Sequence, residues 1–255
     1  MGKPFISFED VSFAYHSLKG ETKAIENLNF SIEEGEFMAI VGPSGCGKST
    51  LLSLISNILE PEEGSIMFHH NKPKIGYMLQ RDHLFDWRSI WSNCILGLEI
   101  QNKKTPENLL MVENLLKDYG LWDFRNKKPK ELSGGMRQRA ALIRTLVLNP
   151  DLLLLDEPFS ALDFQTRLEV SEDIASLIRE RGKTVILITH DLQEAISLSD
   201  RVIVLSHRPT HVVADVKIDL TKTNNHELSA RNAPEFNIYF EELWKALKGE
   251  EKYRE

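Results

Sequence analysis

Residues 4–13, PFISFEDVSF, alternate apolar and polar side chains, which predicts a half-buried strand. Residues 27–32, NLNFSI, repeat the alternation, and Glu33-Glu34-Gly35 follows as a turn. FMAIV at 37–41 is a short unbroken apolar run, the pattern of a strand covered on both faces. A glycine-rich loop comes next. It leads into LLSLISNIL, apolar nearly all round and stopped by Pro61, which predicts a central helix. KIGYMLQ reads as a further strand with Gln80 at its end. Helical spacing then takes over in TPENLLMVENLLKDYG. Thr105 caps, Pro106 takes the first helical position, Leu109, Val112, Leu116 and Tyr119 share a face, and Gly120 stops the helix. The stretch from about 84 to 150 therefore reads as a helical insert. Afterwards strands and helices alternate: LLLL at 152–155, a helix in RLEVSEDIASLIRERG, TVILIT at 184–189, and RVIVL at 201–205. Such alternation implies parallel strands joined by crossovers, an α/β class. EFNIYFEELWKALK puts Phe236, Phe240, Leu243 and Leu247 on one face of a single amphipathic helix.

Composition narrows the function classes. A chain of 255 residues, 42% hydrophobic and 27% charged, buries a sizeable core. Its net charge of −7 lacks the basic footprint of a nucleic-acid binder, so no nucleic-acid partner is expected. Cys46 and Cys94 are too few for a disulfide framework. No apolar run approaches the roughly 20 residues of a bilayer helix, and MGKPFISFED has no long apolar stretch of a secretory leader. Any membrane association is expected to come through a partner protein.

The chemistry concentrates in three stretches. GPSGCGKS at 42–49 fits G-x-x-x-x-G-K-[ST] between a predicted strand and a predicted helix, the context that a phosphate loop requires. Gly42, Pro43, Ser44, Gly45, Cys46, Gly47, Lys48, Ser49 and Thr50 are its candidate nucleotide-binding residues. The glycines let backbone N–H groups converge on anionic oxygens, Lys48 reaches the β- and γ-phosphates, and Ser49 offers a hydroxyl to Mg²⁺. In LLLLDEP, Asp156 sits where a carboxylate holds the Mg²⁺ shell, and Glu157 is placed to orient and polarise an attacking water. LSGGMRQR at 132–139 sets Ser133, Gly134 and Gly135 before a helix, a second anion-binding terminus that invites a second molecule.

In their order, GPSGCGKST, Gln80, LSGGMRQR, LLLLDEP, SALD and ITHD make the chain resemble the ATP-binding subunit of ABC transporters over about residues 5 to 210. The resemblance implies a P-loop NTPase of the ABC ATPase type. Its fold has a mixed-sheet core with an N-terminal antiparallel β subdomain (about 1–83 and 151–210), a helical subdomain (about 84–150) and a C-terminal tail (about 211–255). Tyr15 resembles the aromatic residue that stacks on adenine, with Phe13 as a competitor for that role. Gln80 resembles the loop glutamine that senses Mg²⁺ and the γ-phosphate. Ser133, Gly134, Gly135 and Gln138 resemble the signature that closes over the γ-phosphate of the opposite subunit. Asp163 falls in the loop that crosses the dimer interface, and His190 resembles the switch histidine. ATP and Mg²⁺ are the implied cofactors. The implied partners are a second copy in a head-to-tail sandwich, membrane permease subunits through about residues 80–91, and, indirectly, an extracytoplasmic solute-binding protein. The implied location is peripheral, on the cytoplasmic face of the inner membrane.

HLFDWRSIW at 83–91 is similar to the segment that follows the loop glutamine in nitrate, sulfonate and taurine importers. Trp87 and Arg88 are in place, whereas Asp86 stands where proline is usual. The expected function is ATP hydrolysis that powers uptake of such a solute or of a vitamin precursor. The alternative is a non-transport ATPase of the same type, acting in Fe–S assembly or repair. The fewer than a hundred residues between phosphate loop and signature leave no room for the long coiled coil of repair members.

Overall fold

A computed structural model describes residues 4–18, 20–70, 73–160, 162–220 and 229–251. Met1–Lys3 of the N-terminal reading and Ala161 of SALD lie outside them. In chain order the first elements are β1 (Pro4–Ser17), β2 (Gly20–Glu33), β3 (Phe37–Val41), α1 (Lys48–Ile55), β4 (Glu63–Phe68) and β5 (Ile75–Met78). The middle carries α2 (Ile90–Cys94), α3 (Leu96–Ile100), α4 (Pro106–Asp118), α5 (Gly134–Leu146), β6 (Leu152–Asp156) and α6 (Phe164–Arg179). The last are β7 (Thr184–Ile188), α7 (Leu192–Leu198), β8 (Arg201–Leu205), β9 (Val212–Lys217), α8 (Ser229–Asn232) and α9 (Phe236–Glu251).

Two compact units emerge. The first comprises residues up to Pro73 and from Ile178 onward. Its β3 lies between β7 and β8, parallel to both, and all five of its side chains are buried. That explains the unbroken FMAIV: a strand with neighbours on both edges and layers on both faces offers no polar position. β9 pairs antiparallel with β8, so this sheet is mixed. β9 was not foreseen in the tail, because VVADVK is half-exposed and carries no strict alternation. α9 buries Phe236 and Leu243 fully, and Phe240 and Leu247 partly. The predicted amphipathic face is thus the one it turns inward.

An antiparallel sheet of order β2-β1-β4 completes this unit. Phe8 of β1 stands opposite Phe30 of β2, with ring centroids 4.1 Å apart. A register shift follows Phe8, where Asp10 takes φ 50°. Asn29 secures the irregularity: its Oδ1 accepts from Asp10 N–H at 2.9 Å, and its amide nitrogen donates to the Asp10 carboxylate at 2.8 Å. β4 approaches this bulge so closely that a Cβ on Gly64 would lie 2.3 Å from the carbonyl oxygens of Glu9 and Asp10. Only glycine fits there, at φ 74°.

The second unit spans Lys74–Leu177. It holds the parallel pair β5–β6 and the helices α2 to α5. α4 starts as expected: Thr105 accepts from Asn108 N–H at 3.3 Å and Pro106 fills the first turn. Its buried face is Val112, Leu115 and Leu116, followed by the buried Tyr119 at the C-cap. α6 begins at Phe164, three residues before the helix expected from Arg167, because Asp163 caps it by accepting from Thr166 N–H at 3.1 Å.

Candidate functional site

In the first unit the loop 42–47 joins β3 to α1. Gly45 takes φ 73° and Gly47 φ 126°, conformations that side-chain-bearing residues rarely adopt. A Cβ on Gly47 would meet Thr210 Oγ1 at 3.0 Å and Ala24 O at 3.3 Å. No side chain caps α1, so its first N–H groups remain available to an anion. The Lys48 ammonium donates to Gly42 O at 2.8 Å and Pro43 O at 2.9 Å, which draws the loop around the cation. Burial pushes the Cys46 thiol upward, against the pull of Lys48, so Cys46 is a small protonated filler rather than a nucleophile. Ser44 and Ser49 are exposed, and Pro43 is half-buried.

Thr50 is buried and its hydroxyl meets the Tyr15 hydroxyl at 3.1 Å. This tethers Tyr15 beside α1 while the residue remains 44% exposed. Phe13 packs edge-on against Tyr15 with centroids 5.0 Å apart. His190 is exposed two residues past the end of β7. The following turn is well braced. Thr189 Oγ1 donates to Glu194 and accepts from Asp191 N–H, and Asp191 caps α7 by accepting from the N–H groups of Gln193 and Glu194.

In the second unit, Asp156 ends β6 and Glu157 opens the next turn at φ 44°. A carboxylate-bearing residue in that region costs about 1–2 kcal/mol. Ser160 holds the turn through its N–H and hydroxyl, both donating to Glu157 O at 3.2 and 3.0 Å. The structure brings Gln80 and Glu157 together: the Gln80 amide donates to Glu157 Oε2 at 3.1 Å. Burial, with the Asp156 carboxylate to which it bonds, pushes the Tyr77 phenol up to about 12.

Ser133 is the N-cap of α5, accepting from Met136 N–H at 3.3 Å, and is itself exposed. A Cβ on Gly134 would meet Leu162 at 3.1 Å, and one on Gly135 would meet Val170 at 3.1 Å. Both glycines therefore serve the close approach of the segment that carries α6. Gln138 does not join the exposed edge. It is 3% exposed on the inner face of α5, with Oε1 lacking a hydrogen-bond partner. Asp163 is exposed, and hydrogen bonds from Thr166 hold its carboxyl below the usual range.

The segment after Gln80 is rigidly framed. Asn93, completely buried, accepts from Phe85 N–H at 2.8 Å and donates to the carbonyls of Phe85, Arg88 and Ser89. Arg144 of α5 donates to Asp82 O and His83 O at 2.6 Å each, and Arg137 donates to the Asp82 carboxylate at 3.1 Å. Arg88 pairs with Glu99, and Lys130 with Asp86 at 3.1 Å. Trp87 is left 73% exposed, resting against Phe85 with centroids 4.7 Å apart. A core role for Trp87 is thereby excluded. None of Asn93, Arg137 and Arg144 was anticipated, since each acts on backbone atoms or a partner distant in sequence. Asn93→Ala is expected to strip this loop of four hydrogen bonds and cost about 2–4 kcal/mol, read as a lowered urea midpoint.

Among the described residues no cluster of three or more His, Cys, Asp or Glu side chains forms a resident metal site. Ser49 in the first unit and Asp156 in the second each carry an oxygen donor of the kind that a hard cation such as Mg²⁺ takes. No helix among the described residues is long and apolar enough to cross a membrane.

Comparison with known proteins agrees with these features. The profile of a family described as ABC transporter matches residues 25–160. The formylaminopyrimidine import ATP-binding protein ThiZ of Halalkalibacterium halodurans is 41% identical over 218 residues, 86% of each chain. The taurine import ATP-binding protein TauB of Ruegeria pomeroyi is 37% identical over 219 residues, 84% of this chain and 82% of that protein. The ATP-binding cassette MJ0796, solved as a dimer in a post-hydrolysis state with ADP and Pi, superposes with a TM-score of 0.71 at 32% identity. The match covers 84% of this chain and 99% of that one. By its phosphate loop, its signature helix and these matches, the chain belongs to the ABC transporter family as an ATP-binding, ATPase subunit of the importer type.

Proposed function

We propose that the chain works as a pair of copies, head to tail, on the cytoplasmic face of the membrane beneath two permease subunits. Each ATP is held by the phosphate loop of one copy and the Ser133 end of α5 of the other. The observation that carries this reading is that one chain offers two separate helix N-termini: α1 behind the phosphate loop, which no side chain caps, and α5, whose cap Ser133 is itself exposed. A triphosphate needs one such terminus from its own subunit, and a second leaves a site for the partner's nucleotide.

In this reading Lys48 neutralises the β- and γ-phosphates, and the N–H groups from Gly42 to Thr50 wrap them. Tyr15, backed by Phe13, stacks on adenine. Ser49 and Asp156 would hold Mg²⁺, with Gln80 near it, and the ion would supply positive charge against the charge that develops on the phosphates. Glu157 accepts the proton of the attacking water, and its fixed left-handed turn aims the carboxylate. His190 contacts the γ-phosphate. Gly134 and Gly135 seat the signature, Gln138 positions α5 from its inner face, and Asp163 faces the other copy.

The transported solute is a small polar metabolite of the taurine or sulfonate kind, or a pyrimidine vitamin precursor. The named relatives and the Trp87–Arg88 segment support that range. An extracytoplasmic solute-binding protein delivers it. Isolating the complex from native membranes, identifying the permease and receptor, and titrating that receptor with both solute classes tests the assignment. Binding of neither class overturns it. The exposed Trp87 is the proposed anchor for the permease, since aromatic and Arg side chains concentrate at interfaces. Trp87→Ala is expected to retain most of the ATPase activity of the isolated subunit while uptake in reconstituted vesicles falls at least about ten-fold. Loss of both together would refute the anchor.

A further inference from the structure

We propose that Thr210, in the turn between β8 and β9, is a positioning residue for the phosphate loop, acting through the carbonyl of Cys46. The inference rests on the nucleotide-binding reading of that loop and assigns a role to a residue outside every motif noted in the sequence.

Thr210 is 1% exposed. Its hydroxyl donates to Cys46 O, the carbonyl directly before Gly47. The residue is clamped from two sides. Its N–H donates to Ala24 O at 3.0 Å and its carbonyl accepts from Glu26 N–H at 3.0 Å, so it lies along β2 as an isolated parallel bridge opposite Ile25. The turn that delivers it is closed by Ser206. The Ser206 N–H donates to His211 O at 3.0 Å, and its hydroxyl donates to His207 O at 2.8 Å and accepts from His211 N–H at 2.9 Å. The hydroxyl of Thr210 is thus held by β2 and by its own turn.

A trans peptide directs its C=O and N–H to opposite sides. Fixing Cys46 O on Thr210 therefore turns the Gly47 N–H away from Thr210, the direction required of a donor to phosphate. The same approach explains the glycine at 47: at φ 126° a Cβ would press on Thr210 Oγ1 at 3.0 Å. Losing the hydroxyl leaves the Cys46 carbonyl without this donor and frees the peptide to rotate, at the expense of one phosphate-facing N–H. Phosphate affinity depends on that orientation. The proton transfer from water, at Glu157, does not.

The test compares Thr210→Val, which keeps the shape, with Thr210→Ala and with Thr210→Ser, which keeps the hydroxyl. ATP binding is measured by calorimetry beside wild type, with steady-state ATPase kinetics. Val and Ala are expected to weaken ATP binding and raise KM about ten-fold, with kcat at saturating ATP within about two-fold, while Ser stays close to wild type. Wild-type affinity in Thr210→Val overturns the proposal. So does a loss in Ser as large as that in Ala, which would assign the effect to packing of the methyl group. If Val fails to fold, the Ala and Ser pair makes the same comparison. A wild-type chain without ATP affinity overturns both this inference and the nucleotide-binding reading. Wild-type binding with unaffected variants overturns this inference alone.

Discussion

Glu157→Gln is expected to lower ATP turnover by about 10²–10⁴, the contribution of a positioned general base, and to leave ATP-bound dimers that elute at twice the subunit mass. The substitution is close to isosteric. It keeps a side-chain oxygen for the Gln80 amide, now 3.1 Å from Glu157 Oε2, and it leaves the turn at φ 44° in place. What disappears is the capacity to take a proton from water. Phosphates are then still bound, and the two copies stay joined by the nucleotide that hydrolysis would otherwise remove. Phosphate release at the wild-type rate would remove Glu157 from the mechanism. Loss of activity with no dimer on size-exclusion chromatography would remove the sandwich.

Lys48→Ala is expected to weaken ATP binding by at least about a hundred-fold, since truncating one partner of a buried, hydrogen-bonded charge pair is among the costliest polar losses. Lys48 is 8% exposed and its ammonium spans Gly42 O and Pro43 O. Alanine removes the cation and unties the two carbonyls that its bonds gather. Calorimetry reads the affinity, and thermal unfolding without nucleotide separates it from a folding defect. Unchanged affinity would overturn the phosphate-loop reading. The pair of variants also separates binding from chemistry: Glu157→Gln retains nucleotide, Lys48→Ala does not.

Contiguous signals carried much of this into the primary structure. FMAIV and RVIVL are strands at the positions their apolar runs mark, and Thr105-Pro106 starts α4 where the cap chemistry requires. The helix expected through LLSLISNIL ends earlier, at Ile55, with Ser56 as its C-cap and Asn57 at φ 60°. Local backbone turning at Asn57 thus precedes Pro61. β4 was not seen because EGSIMF is half-exposed and short, and its pairing with β1 is long-range. Among site residues, the phosphate loop and the signature are legible because each is one uninterrupted turn into a helix. The Gln80–Glu157 contact is not, as it joins residues 77 apart. Gln138 shows the limit of motif reading: Gly135, Gln138, Leu142 and Thr145 fall on one buried face of α5 by helical period, so its neighbours along the chain say less than its phase.

The bulge in β1 carries a lesson for genetics. Gly64 leaves no space for any side chain against Glu9 and Asp10, so every missense change there strains the sheet. A random mutagenesis screen scored by growth would therefore rank position 64 among the critical ones, alongside codons 48 and 157. Sensitivity of that kind maps steric necessity, and only a nucleotide-binding assay sorts such hits from residues that handle ATP.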